Sequence, residues 1–220
     1  MSFNLSKGSS FNLAKAAPTM TVAGVGLGWD ANESPDGPIF DLDVSAFLIG
    51  SDGQIQDPRN FVYYGSSSTT VYGDENDARP YSADGSVLGA IDEKAGGAEA
   101  DDDEEGDEED MRIFFDRVGE DVSEIVIVVT ITKYPNDEEK DRRTLDLFFG
   151  QVDGCYIRVW NEDNDEELCR YVLSNDFADK DAVEFGRFKR NANGEWNFNA
   201  TGEGHNGGLM YFIGAFASNL

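Results

Sequence analysis

The sequence predicts an all-β fold, a β-sandwich of about ten short strands with long acidic loops and a short C-terminal helix. Three observations carry this prediction. Short apolar–polar alternations recur along the chain, turn residues separate them, and helical spacing occurs only near the C-terminus. At 220 residues the chain is long enough to bury a substantial core. An excess of acid can also mark disorder, but 15 Phe, 8 Tyr and 3 Trp argue for a packed fold.

The elements follow in order. "SFNLSK" (2–7) and "SFNLAK" (10–15) are a short duplication in which Phe and Leu alternate with polar residues. With Gly8 and Ser9 between them, they predict a hairpin. "TVAGVGLGWD" (21–30) is a glycine-rich strand. No Gly-Lys-Ser/Thr follows it and no helix opens after it, which excludes a phosphate-binding loop. In "FDLDVSAFL" (40–48), Phe40, Leu42, Val44, Ala46 and Leu48 face inward, and Asp41, Asp43 and Ser45 take the opposite, outer face. "IGSDGQI" supplies a turn at Asp52 and Gly53, and "NFVYYG" (60–65) a further strand.

Later strands are predicted at 111–115, 124–131, 155–161, 167–173, 183–190 and 195–201, with "NEDNDEE" turning one hairpin. Leu209, Phe212, Ile213 and Phe216 follow a Gly pair at i, i+3, i+4 and i+7, the spacing of one helical face. Residues 65–81, 94–106 and 134–144 are polar stretches read as surface loops, because strand patterning resumes beyond each.

The 44 Asp and Glu outnumber 17 Lys and Arg, for a formal charge of −27. Such a surface repels phosphate backbones and anionic headgroups, so neither nucleic acid nor direct lipid binding is expected without bridging cations. The longest apolar run, 125–131, is too short to span or insert in a bilayer, and the start lacks the apolar core of a signal peptide, so a cytoplasmic location is expected. Cys155 and Cys169 are too few for a disulfide framework. That compartment favours free thiols, with a cross-strand disulfide left open.

Ten carboxylates occupy the twelve positions 99–110, and removing them still leaves a charge of −17, so the acidity is global. Asp101, Asp103, Glu105 and Gly106 mimic the opening of an EF-hand, but its twelfth position is Arg112 and strands replace the flanking helices, which excludes that motif. A charge run alone reads as a solvated surface. What points to a divalent cation is its combination with acids on a rigid strand. Asp41 and Asp43 stand on one strand face, about 7 Å apart by strand rise, and Asp107, Glu108 and Glu109 immediately precede another strand.

His205 is the single histidine and has no nucleophile motif around it, so it reads as a loop residue. Asp146 with Glu184 or Glu203 is the kind of acid pair that any acidic protein offers. No catalytic signature is present, and the protein is not expected to be an enzyme.

The ordered series "LSKG" (5–8), "VGLGWD" (25–30), "FDLDVSAFL" (40–48), "RNFVYYG" (59–65), "SADGSV" (82–87), "GDEEDMRIFFDRVGEDVSEIVIVVTI" (106–131), "FGQVDGCYIRVWNEDNDEELCRYVL" (149–173) and "GGL" (207–209) resembles the tellurium-resistance TerD family. The resemblance implies one domain over 1–220, with loop insertions at 66–81, 97–105 and 134–144. It also implies a calcium-binding cytoplasmic stress-response β-sandwich, holding one or two Ca²⁺ ions through an acidic loop in two halves. "IDEKAGG" matches the first half at Asp92, and "GDEE" matches the second at Asp107, Glu108 and Glu109. Glu93 stands where the family usually has Asn, and Glu108 where it has a second Asp. The expected role is a cation-dependent adaptor whose partners are other stress-response or membrane-associated proteins, with self-association open. The alternative is a structural or capping subunit of a large assembly.

Overall fold

The computed structural model describes residues 8–32, 37–71, 78–94, 106–133 and 146–219. Within them two antiparallel sheets face one another. Strands are numbered in chain order. The larger sheet runs β1 (Ser10–Asn12), β13 (Trp196–Asn199), β12 (Ala182–Arg190), β9 (Glu124–Ile131), β3 (Leu42–Ile49), β4 (Phe61–Val62), and β14 (Glu203–His205) also pairs with β12. The smaller sheet runs β11 (Glu166–Val172), β10 (Tyr156–Asn161), β2 (Val22–Gly28), β8 (Glu109–Phe114), β7 (Val87–Leu88). A separate hairpin joins β5 (Thr69–Val71) to β6 (Ala78–Pro80). The helices are α1 (Leu13–Ala16), α2 (Leu173–Asp176) and α3 (Gly208–Phe216). None of the described helices is long and apolar enough to cross a membrane.

Period-two burial builds the core between the sheets. Ala23, Val25 and Leu27 of β2, Leu42, Val44, Ala46 and Leu48 of β3, and Ile125, Ile127 and Val129 of β9 all enter it. On β12 the inward series is Val183, Phe185, Phe188, and the odd step coincides with a register shift between Glu184 and Gly186. The opposite face of the larger sheet is buried as well. Phe47, Ile49, Val126 and Val128 pack under Phe212 and Phe216 of α3, with Leu209 and Ile213 partly buried beside them. The helical face read from the C-terminal spacing is the face that docks. Burial on both sides explains why β9 is apolar almost throughout instead of alternating.

Three expectations need correction. The outer face of β3 is not solvated: Asp41, Asp43 and Ser45 are as buried as the core, at 0, 1 and 0 % exposure. The second half of the N-terminal duplication is not a simple strand. Ser10–Asn12 pairs with β13, and Asn12 then caps a helical turn by accepting from the Lys15 N–H at 2.9 Å. Its first half, 2–7, lies outside the described residues, as do the insertions at 97–105 and 134–144. The strand expected at 60–65 stops after Val62. Both cysteines are free thiols; the Cys155 carbonyl accepts from the Leu173 N–H, while Cys169 sits opposite Val159, four positions along the ladder.

The glycines of β2 have a packing reason. Gly24 and Gly26 lie on the outer face of the smaller sheet, opposite Trp160 and Arg158. A Cβ on Gly24 would stand 2.1 Å from the Trp160 ring, and one on Gly26 2.1 Å from the Asp107 carboxylate. The missing side chains make a trough that β10 and the start of β8 fill. Trp160 is held there by Nε1 donating to Glu162 at 2.7 Å, and Arg112 and Arg158 stand 5.0 and 4.8 Å from its ring.

Gly24→Ala is therefore expected to cost about 1–3 kcal/mol by overpacking. Gly214→Ala, on an exposed turn of α3 with nothing within 4 Å, is expected to be neutral or to stabilise by up to about 1 kcal/mol. Urea denaturation of both variants checks the contrast.

Candidate metal centre

The site begins with a strand that runs out of partners. β4 covers β3 only at Ala46 and Phe47, so the first half of β3 is an open edge. The Val44 N–H points out of that edge and donates to Glu109 Oε2 at 2.9 Å. Glu109 opens β8 on its inward face, so this bond ties the smaller sheet to the larger one. The segment after β7 closes over the same corner, where the Glu93 N–H donates to Glu109 Oε1 at 3.4 Å. On the third side Thr132 follows β9. Its N–H donates to the Asp41 carbonyl at 2.7 Å, and its hydroxyl donates to Asp43 Oδ2.

These contacts gather acids. Asp41, Asp43 and Asp92 each offer a carboxylate oxygen, and the three oxygens lie within 4.8 Å of one another. Among the described residues this is the one such group of three or more potential metal ligands. Glu109 is close enough to feel the charges of Asp43 and Asp92. Burial first, and then the charges of Asp41 and Asp92, push the Asp43 carboxyl up to about 8. The Thr132 hydrogen bond and the Lys94 charge pull the other way. Burial and the Asp43 charge likewise raise Glu109 well above the usual carboxylate range, opposed by the two backbone N–H donors. A corner of this kind holds either protons or an added positive charge.

The surrounding polar atoms fit a hard cation. Asp92 Oδ1, Ser45 Oγ and Thr130 Oγ1 are buried with no hydrogen-bond partner among the described residues. Thr130 stands directly opposite Asp43 on the neighbouring strand, and Ser45 is the next residue on the same strand face. The donor set is all oxygen, with no sulfur or imidazole, the chemistry of Ca²⁺ or Mg²⁺.

Of the six acids expected from the sequence, the structure brings Asp41, Asp43 and Asp92 together and sets Glu109 beside them. Asp107 lies elsewhere, over Gly26 on the outer face of the smaller sheet. Arg158 grips it through Nε at 2.8 Å and Nη2 at 2.7 Å, and the Tyr156 hydroxyl donates to it at 3.0 Å. Glu108 donates its backbone N–H to the Leu27 carbonyl at 2.9 Å and contributes no oxygen to the group of three. Thr132, Thr130, Ser45 and Lys94 escaped the sequence reading. The strand alternation that placed Asp43 also placed Ser45, but no local pattern marks the other three.

Fold and site together define an antiparallel β-sandwich with a buried, all-oxygen carboxylate group at one corner. The TerD domain family model matches residues 1–216, and the chain belongs to the TerD family. It is 39% identical over 219 residues to "Tellurium resistance protein TerD" of Serratia marcescens, covering 100% of this chain and 99% of that one. It is 34% identical over 209 residues to "General stress protein 16U" of Bacillus subtilis, covering 95% and 94%. Among solved structures, a homologue of telluride resistance protein (TerD) from Streptomyces coelicolor A3(2) has the same fold. That match has a TM-score of 0.61 at 21% identity, over 88% of this chain and 95% of that one.

The raised Asp43 carboxyl fixes the sign of a pH effect. A folded-state value above the ordinary one means that the folded form holds the proton more tightly. Stability is then fully present at low pH and is lost as pH rises toward about 8. The cation-free protein is expected to resist urea better at pH 6 than at pH 8.5, and Asp43→Asn is expected to shrink that difference, leaving the part that the raised Glu109 carboxyl contributes with the same sign. The window lies above the range in which Asp84 and Asp181, whose carboxyls are held low by their hydrogen bonds, would titrate.

Proposed function

We propose that this protein is a calcium-binding stress-response protein that acts by binding, as a cation-dependent adaptor in the cytoplasm. The observation that carries the reading is the convergence of Asp41, Asp43 and Asp92 within 4.8 Å in a buried corner, with Glu109 beside them. Names of the relatives, tellurium resistance and general stress, support the stress context. Calcium suits the site better than magnesium. It accepts six to eight oxygens in loose geometry, whereas magnesium demands a near-octahedral shell and keeps its waters. The ligands come from three separate segments, which favours the tolerant ion.

The ion would neutralise acids that otherwise repel one another, and would fasten the β3 edge to the segments following β7 and opening β8. Binding of this kind stabilises by mass action, about 2.7 kcal/mol at a hundredfold excess over the dissociation constant. The ordered corner then presents a surface whose shape depends on the ion, which is what an adaptor role requires. Turnover has no part in this reading.

Titration calorimetry with Ca²⁺, and with Mg²⁺ as control, tests it. Asp43→Asn and Asp92→Asn should each weaken calcium binding at least about tenfold, by removing one charged oxygen from the ion. Asp107→Asn should leave calcium affinity nearly unchanged, while costing about 1–3 kcal/mol of stability through its partly orphaned Arg158. Calcium binding lost in Asp107→Asn but kept in Asp43→Asn would place the ion on the acidic run instead.

A further inference from the structure

Resting on the cation reading above, we propose that Lys94 is a tethered counter-ion. It occupies the mouth of the carboxylate group when no metal is bound and is expelled when a divalent cation enters. Three observations place it there. Its Nζ lies 3.5 Å from Asp92 Oδ2, longer than a tight charge-assisted hydrogen bond, so the pair is loose. Its side chain is 57% exposed, so swinging into water disturbs no packing. It follows Asp92 by two residues on the same segment, so it cannot diffuse away and returns when the site empties.

The position matters because the corner has one open side. Asp41, Asp43 and Glu109 are 0, 1 and 2 % exposed, whereas the Asp92 side chain is 28% exposed. An ion arriving from solvent meets Asp92 first, and Lys94 already stands beside one oxygen of that carboxylate. A divalent ion among these oxygens and an ammonium beside Asp92 would repel at short range, and the ammonium, already more than half in water, is the one free to move. Ion and ammonium compete for the negative charge of the same carboxylate. Lys94 therefore does two opposite things: it steadies the empty site and it lowers affinity for the ion. Occupancy is thereby coupled to the position of a surface side chain.

The test is calcium calorimetry on the wild type and on Lys94→Met, Lys94→Arg and Lys189→Met, paired with urea denaturation of each cation-free protein at pH 8. Lys189 is the control for net charge. It pairs with Glu124, which is in register with Ile49 at the far end of β3, about 20 Å from Asp43. Lys94→Met should bind calcium about threefold to fivefold more tightly and be less stable without it, since a competing charge at the mouth, worth what an exposed ion pair is worth, is lost. Lys94→Arg should keep wild-type behaviour in both measurements. Lys189→Met should leave calcium affinity within about twofold, its charge lying beyond a screening length. Equal or weaker calcium binding by Lys94→Met, or equal tightening in Lys189→Met, overturns the counter-ion role and leaves the cation site standing. No calcium binding by any of the four proteins overturns the cation reading and this inference with it.

Discussion

An unpaired strand edge organises this corner of the molecule. The Val44 N–H leaves β3 where β4 no longer covers it, and a buried amide without a partner is costly. The acceptor comes from the opposite sheet, as the Glu109 carboxylate. One hydrogen bond thus joins the two sheets at this corner and commits a carboxyl group to the interior. Asp41 and Asp43 share that strand, and Asp92 arrives on the segment that also donates to Glu109. The crowding of carboxylates follows from how the edge is sealed.

Holding Glu109 there requires the chain before it to be fixed, and the outer face of the smaller sheet does this. Asp107 is clamped by Arg158 and Tyr156 above the bare backbone of Gly26. Asp110, one residue beyond Glu109 and on the other face of β8, is held by Arg79 at 2.9 Å and by Arg112. Arg79 comes from the β5–β6 hairpin, so this excursion is anchored to the sheet instead of standing free in solvent. Glu109 faces inward between two outward acids pinned by arginines. The glycine pattern of β2, which superficially suggests phosphate chemistry, is part of this brace: side chains on Gly24 and Gly26 would lift Trp160 and Asp107 away.

The fold was largely legible, because alternation is imposed by a core on one side of each strand. Reading failed where that premise fails. On β3 the polar alternates suggested a wet face, but α3 and the corner bury that face too, and three small polar residues carry no mark of it. At residues 10–15 the alternation continued on paper, yet Asn12 caps a helical turn. The site was half legible. Asp41 and Asp43 follow from strand period, Glu109 is one of three acids set just before a strand, and Asp92 is reached only through the family resemblance. Asp107, Glu108 and Glu109 could not be separated, since which acid faces inward depends on where β8 begins, a choice set by distant Arg158 and Val44. Lys94 and Thr132 reach the site through chain paths that leave no local pattern.

The acidic run and the acidic corner are consequently different physics. Exposed charges are screened within about 8 Å at physiological salt, so a solvated run stores little energy however many acids it contains. Within the described part of the run, Asp107 and Asp110 are paired with arginines, and Glu109 alone is drawn into the buried corner. A few carboxylates withdrawn from water respond to a proton or a cation far more than many left in it, as the displaced Asp43 carboxyl indicates. A net charge of −27 repels anions and attracts cations in general, but the proposed selectivity among cations would have to come from the fixed oxygens of Asp41, Asp43 and Asp92. The net charge of the whole chain sets the field around the protein, and the strand edge sets where that field can be answered.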